Sequence, residues 1–154
     1  MTEARYQFKS IRYKDLKSKQ KEHFNFQKIA ALLADYGFNC IKLADDWQSA
    51  DFLAYHNDGR TTLKVQLKSR LTLDKKYCDK EIWIAFPHKS HWYLVEHDRL
   101  LKKVGEHTNW LESTSWKHKD GYSSTSINPE LLKSLEEDIR GSIFGVAPLE
   151  GEND

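Results

Sequence analysis

Asp51-Phe-Leu-Ala-Tyr-His-Asn-Asp-Gly-Arg-Thr-Thr-Leu-Lys-Val-Gln-Leu-Lys-Ser-Arg70 reads as two strands joined by a turn. In its second half Leu63, Val65 and Leu67 point one way and Lys64, Gln66, Lys68 and Arg70 the other, the alternation of a half-buried strand running from residue 61 to 70. Asp58-Gly59 is a strong hairpin signal. With those two residues as the turn, Asn57 faces Arg60, Leu53 faces Lys64 and Asp51 faces Gln66. Opposed residues share a face of the sheet, so Asp51, Gln66 and Lys68 converge: a carboxylate, an amide oxygen and an ammonium at one spot.

The flanking sequence builds outward from this hairpin. Asp15 is placed to cap a helix over 16–36, with Phe26, Ile29, Ala30 and Leu33 on its core stripe and Gly37 in the left-handed position after its end. A strand over 38–43, a polar connection over 44–49 and a strand over 51–55 follow. Further on, 82–86 and 92–95 form a strand pair, and 97–104 a short helix ended by Gly105. A Trp-, Ser- and Thr-rich stretch then leads to Asn128-Pro129. This dipeptide caps and starts a last helix with Leu131, Leu132, Leu135 and Ile139 on its core face and Gly141 at its end. The fold class is α/β: a central mixed β-sheet flanked by helices, plus a C-terminal helical extension. One domain spans 1–144, its core 16–104 and its extension 105–144, and 145–154 form a flexible tail.

A chain of 154 residues is one domain of ordinary size. Its Leu, Ile, Val and Phe make up about 23 % of it, just above the level of roughly 20 % below which chains stay disordered. A net charge of +1 excludes a strongly basic, histone-like protein and a strongly acidic one. The charge is uneven, however. Residues 1–28 carry eight basic and three acidic side chains, whereas 129–154 carry two and seven. The basic leader can sit near phosphates, with Lys14, Lys17 and Lys21 as candidate contacts; a solvated helix face is the plainer reading. No apolar run reaches the ~18 residues of a membrane span and no signal-peptide core is present, so the expectation is a soluble, cytoplasmic protein without a membrane partner. Cys40 and Cys78 read as free thiols.

Ser49-Ala50-Asp51, a hairpin and Val65-Gln66-Leu67-Lys68 together resemble the PD-(D/E)xK nuclease superfamily, the restriction-endonuclease-like fold, over roughly residues 16–104. Ala50 stands where that motif has Pro, a backbone-shaping position. Gln66 replaces the acidic residue, which removes one negative charge; Gln-x-Lys forms occur among active members, some homing endonucleases included. The resemblance implies hydrolysis of DNA phosphodiesters by a divalent cation, Mg²⁺ or Mn²⁺. Asp51 is then its anionic ligand, the Gln66 side-chain oxygen and the Leu67 backbone carbonyl further ligands, and Lys68 the group that orients water and offsets charge on phosphorus. Glu22, four residues before Phe26 and so on the inward stripe, is the natural second acid, since many members place a metal-site Glu on the first helix. Lys64 and Arg70 extend the polar face toward phosphates.

Each residue has a plainer role beside this one. Asp51 satisfies amides at a strand start, Lys68 is a solvated strand residue, Glu22 pairs with neighbouring lysines, and Asp45 and Asp46 cap a loop. Cys78, His88, His91 and His97 lack a zinc-site pattern. Trp47, Trp110, Trp116 and Tyr122 read as core or rim rather than base-stacking platforms. No nucleophile elbow, P-loop or dinucleotide fingerprint occurs. The expected function is a metal-dependent endonuclease that works as a homodimer or higher homo-oligomer, because scission of both strands needs two sites. The alternatives are an inactive DNA-binding module on the same fold and a protein–protein adaptor.

Overall fold

The computed structural model describes residues 7–89 and 91–137. Helix α1 (Ser18–Ala34) leads into β1 (Phe38–Trp47), β2 (Ala50–His56) and β3 (Thr62–Leu67). After β4 (Leu71–Asp74) come β5 (Ile82–His88), β6 (His91–Glu96) and α2 (His97–His107). Helix α3 (Thr114–Lys119), β7 (Gly121–Ser124) and α4 (Pro129–Glu136) complete the order. The five-stranded sheet runs β1-β2-β3-β5-β6, and β4 pairs with β7 in a second, two-stranded sheet. Only the β3–β5 pairing is parallel, so the large sheet is mixed.

The sheet separates two apolar layers. Ile29 and Leu33 of α1 pack on Phe52, Ala54, Val65 and Ala85 on one face. On the other, Ile82, Ile84 and Phe86 meet Leu71, Leu73 and Tyr77 together with Leu100 of α2 and Leu131 of α4. This second cover stops near β3. Beyond it Ile41 and Tyr55 are half exposed, at 51 % and 42 %. Asp51 and Gln66 share that face, so they lie at the seam between its covered and open halves.

The hairpin register is the one the alternation dictates: Phe52 faces Val65, Leu53 faces Lys64 and Ala54 faces Leu63. The turn itself differs. A type I′ turn needs positive φ at both central residues, and here only Gly59 has it (φ 73°). Instead His56 N–H donates to the Thr61 carbonyl (2.8 Å) and closes a four-residue loop with the same centre, so the register is unchanged. The Asp58 carboxylate holds the loop, accepting from Arg60 N–H (2.7 Å), Thr61 N–H (2.9 Å) and the Thr61 hydroxyl (2.9 Å). Those bonds to its ionised form pull its pKa down to about 2.

Other boundaries shift for local reasons. Asp15 caps nothing: it belongs to the 3-10 turn Tyr13–Asp15 and takes Arg12 Nε–H (2.9 Å), while the Lys17 N–H at the start of α1 donates to Gln20 Oε1 (2.9 Å). The supposed polar connection is strand. β1 runs through Asp45 and Asp46 to Trp47, and Gln48 and Ser49, both at positive φ, turn it into β2. β3 ends at Leu67 because the chain must leave the sheet to re-enter parallel at β5, and on the way Leu71 and Leu73 bury in β4. Arg70 is therefore exposed in the bend, off the polar face it was assigned to. The C-terminal stretch is not purely helical, since it supplies β7. There Trp110 and Trp116 pack on the second core and Trp110 stacks on Tyr122 (4.8 Å), whereas Trp47 is 50 % exposed. Asn128 caps α4 as expected, its Oδ1 accepting from Leu131 N–H (2.7 Å). Ile139, Gly141 and the 145–154 tail lie outside the described residues. Both cysteines are free, and no described helix is long and apolar enough to cross a membrane.

Gly37, at φ 87°, closes the turn that follows α1, and a Cβ there would stand 2.8 Å from His56 Nε2, which bonds the Tyr36 carbonyl (3.0 Å). Gly37→Ala is expected to cost about 1–2 kcal/mol, the left-handed penalty for an L-residue, with the clash added to it. Urea denaturation of the two proteins measures it, and an unchanged midpoint would refute the close packing of this corner.

Candidate active site

The β2–β3 backbone ladder runs as far as Phe52 and Val65. One step beyond it the Asp51 carboxylate replaces a backbone acceptor: its Oδ2 takes the Leu67 N–H at 2.9 Å. A strand residue's N–H and C=O point to the same side, so the Leu67 carbonyl lies on this edge too. On its other side β3 stays tied to β5, where Lys68 N–H donates to the Ala85 carbonyl (2.8 Å).

Gln66, only 6 % exposed, lies between Asp51 and the fully buried Tyr77. Its amide nitrogen faces Asp51 and its oxygen faces Tyr77. With nitrogen toward Asp51, it donates to Oδ1 (2.7 Å) and to Oδ2, and accepts from the Tyr77 hydroxyl (2.9 Å). Turned the other way, the amide would put its oxygen against the Asp51 carboxylate with no proton between them, and Nε2 would face the Tyr77 hydroxyl. The first orientation satisfies every one of these groups. Lys68 Nζ stands 5.7 Å from the Tyr77 ring centroid. Burial foremost, then the charges of Asp74, Asp51 and Asp46, push the Tyr77 hydroxyl up to about 12, so it remains a phenol.

Asp51 is held above the usual carboxylate range. Burial is the main cause and the charges of Asp46 and Glu22 add to it, against the Leu67 hydrogen bond and the Lys68 ammonium. Asp46 thus bears on the site from β1 rather than capping a loop. Glu22 continues the buried line of α1, three residues before Asn25 and seven before Ile29, but in the open first turns of the helix it is exposed at the rim. Its partner is not a helix neighbour but Lys42 of β1 (3.6 Å), whose Nζ also donates to His23 Nδ1 (2.9 Å). It nevertheless lines a cavity of about 260 Å³ with Lys21, Asn25, Lys68 and Ser69.

The structure brings Lys21 to that cavity, its Nζ 5.3 Å from the Tyr13 ring centroid. Lys14 lies in the 3-10 turn and Lys17 at the start of α1, both exposed and each next in sequence to a residue of that cavity, Tyr13 and Ser18. Lys64, on the face of Gln66, lines a separate cavity of about 450 Å³ and donates to Gln48 Oε1 (3.5 Å). Tyr77 and Lys42 went unnoticed in the sequence. Lys42 had a signal, since strand alternation from Cys40 turns it toward α1; Tyr77 had none.

Cys78, His97 and Asp98 come together, with potential ligand atoms within 4.8 Å of one another. The buried His97 is already engaged at both ring nitrogens. Nε2 accepts from Asp74 N–H (3.1 Å) and Nδ1–H faces Asp98 Oδ1 (3.3 Å), while Asp98 Oδ2 takes Asp79 N–H (3.0 Å). Burial lowers the His97 pKa and raises that of Cys78, so both are neutral, and the cluster ties α2 to β4. His88 and His91 face each other at the opposite end of the β5–β6 pair.

Comparison with models of known families, with curated proteins and with solved structures found no match.

Proposed function

We propose that the protein is a divalent-metal-dependent endonuclease that hydrolyses DNA phosphodiester bonds, on a restriction-endonuclease-like fold with a Gln-x-Lys triplet. The observation that carries the reading is the meeting of Asp51, Gln66 and Lys68 at one end of the β2–β3 hairpin, with the Leu67 N–H on the Asp51 carboxylate. A helix, an antiparallel three-strand meander and a parallel fourth neighbour supply the matching framework.

The donor set fits a hard cation. The Asp51 carboxylate, the Gln66 amide oxygen and the Leu67 carbonyl are all oxygens, and Glu22 and Asp46 add negative charge around Asp51. Bound there, Mg²⁺ or Mn²⁺ supplies Lewis acidity and a water of lowered pKa. Lys68 is left to orient that water and to offset charge on the phosphate oxygens. Lys21, Lys14 and Lys17 line the approach for the backbone, and Lys64 serves the strand beyond the site.

Cleavage of supercoiled plasmid with Mg²⁺ or Mn²⁺, stopped by EDTA, tests the reading. Salt-dependent DNA binding without cleavage would replace it with an inactive binding module, which the direct Gln66–Asp51 hydrogen bond favours; no DNA binding at all would leave a protein–protein adaptor. Breaking both strands at one locus takes two copies, so the active form is a homodimer or higher homo-oligomer.

Replacing Lys14, Lys17 and Lys21 together by Ala is expected to weaken binding to all DNA sequences alike. The slope of log affinity against log salt should become shallower by up to about three ion equivalents. An unchanged slope would return these lysines to plain solvated surface.

A further inference from the structure

We propose that Tyr77 is a positioning residue whose buried hydroxyl lets the Gln66 amide turn its oxygen toward Asp51, so that a glutamine serves as a metal ligand. This rests on the metal-site reading of Asp51. While the amide nitrogen faces Asp51, both carboxylate oxygens are occupied, Oδ1 by Gln66 and Oδ2 by Gln66 and the Leu67 N–H. A cation gains the site only when the amide turns. The turned NH₂ group then needs an acceptor in a place closed to water, since an unmet buried donor is costly.

The Tyr77 hydroxyl meets both requirements from one position. It donates to the Gln66 oxygen at 2.9 Å, and because turning the amide exchanges its oxygen and nitrogen in place, the same hydroxyl would accept from Nε2 once the amide has turned. A hydroxyl can do this because it is both donor and acceptor and its proton rotates. Its position is fixed from several sides. The ring is fully buried and meets the His97 ring edge-on at 5.6 Å. The turn that carries it is capped by Asp74, whose Oδ1 accepts from Lys76 N–H (3.0 Å). The Lys76 and Lys68 ammonium groups lie 5.2 and 5.7 Å from the ring centroid. Tyr77 therefore touches two members of the triplet at once, Gln66 by its hydroxyl and Lys68 by its ring.

Calorimetric titration with Mn²⁺ of wild type, Tyr77→Phe, Gln66→Glu and the double variant tests the assignment. Phe keeps the ring and removes only the hydroxyl. In the Gln66 background its affinity for Mn²⁺ should fall about 10- to 100-fold, the usual effect of losing a group that orients a ligand. In the Gln66→Glu background the loss should stay under about threefold, because a carboxylate presents an oxygen whichever way it turns. Equal losses in both backgrounds overturn the role of Tyr77 alone. A wild type that binds no Mn²⁺ overturns the metal-site reading and this role with it. A second measurement needs no variant: the side-chain NH₂ resonances of Gln66 in ¹⁵N-labelled wild type should shift on adding Mg²⁺, and signals that stay in place at saturation overturn the turning amide.

Discussion

Asp51→Asn is expected to abolish the proposed Mg²⁺-dependent plasmid cleavage and to leave the metal-free fold at least as stable as wild type at pH 7. On the proposed function the variant loses the one anionic ligand within the hairpin, and with it several kcal/mol of metal-supplied stabilisation, about 10²-fold or more in rate. The retained stability follows from the charge state. Burial and the charges of Asp46 and Glu22 hold the folded carboxyl above its ordinary value of 3.8, so the folded chain keeps this proton more tightly than the unfolded chain does. That contribution is complete below the ordinary value and is lost as pH rises through the raised one. Asparagine does not ionise, still accepts from the Leu67 N–H, and can donate to the Gln66 oxygen. Thermal denaturation in EDTA should show the variant gaining on wild type as pH rises through this window. Mg²⁺ should raise the wild-type Tm and leave the variant's unchanged. Cleavage at the wild-type rate would remove Asp51 from the chemistry.

Lys68→Ala is expected to lower kcat about 10²- to 10³-fold, the range seen when a group facing developing charge is removed. Its Mn²⁺ affinity should be unchanged or tighter. The ammonium is no ligand and acts on the Asp51 carboxylate only through space, so its removal leaves the donors in place and the field more negative. This split between turnover and metal affinity separates Lys68 from Asp51, whose loss lowers both. A fall in Mn²⁺ affinity parallel to the fall in kcat would instead make Lys68 part of the scaffold that holds the ligands, a role its ring contact with Tyr77 could serve.

The opposition of Asp51 and Gln66 was legible in the chain because a strand repeats every two residues. One face of this hairpin is buried, so a slip by one residue would bury Lys64 and expose Val65, and the centre of the turn then sets every pair. The turn type was not legible, since the Asp58 side chain closes a four-residue loop about the same centre. The helix stop at Gly37 and the Asn128 cap were equally local and equally readable. Everything that surrounds the triplet was decided in three dimensions. Tyr77 reaches Gln66 through a bend, a short strand and a 3-10 turn, with no periodicity linking them. Glu22 keeps the helix face that the periodicity gives it, but its ion-pair partner Lys42 comes from a strand on the far side of a turn. β4 and β7, four residues each, pair across a long stretch of chain, and Leu71 and Leu73 of β4 bury in the second core with Leu100 of α2 and Leu131 of α4. The alternation of polar and apolar residues determined which groups share a face, because that follows from backbone geometry alone. Only the packed structure determined which of them meet a partner, because burial and electrostatic fields depend on segments distant in the chain.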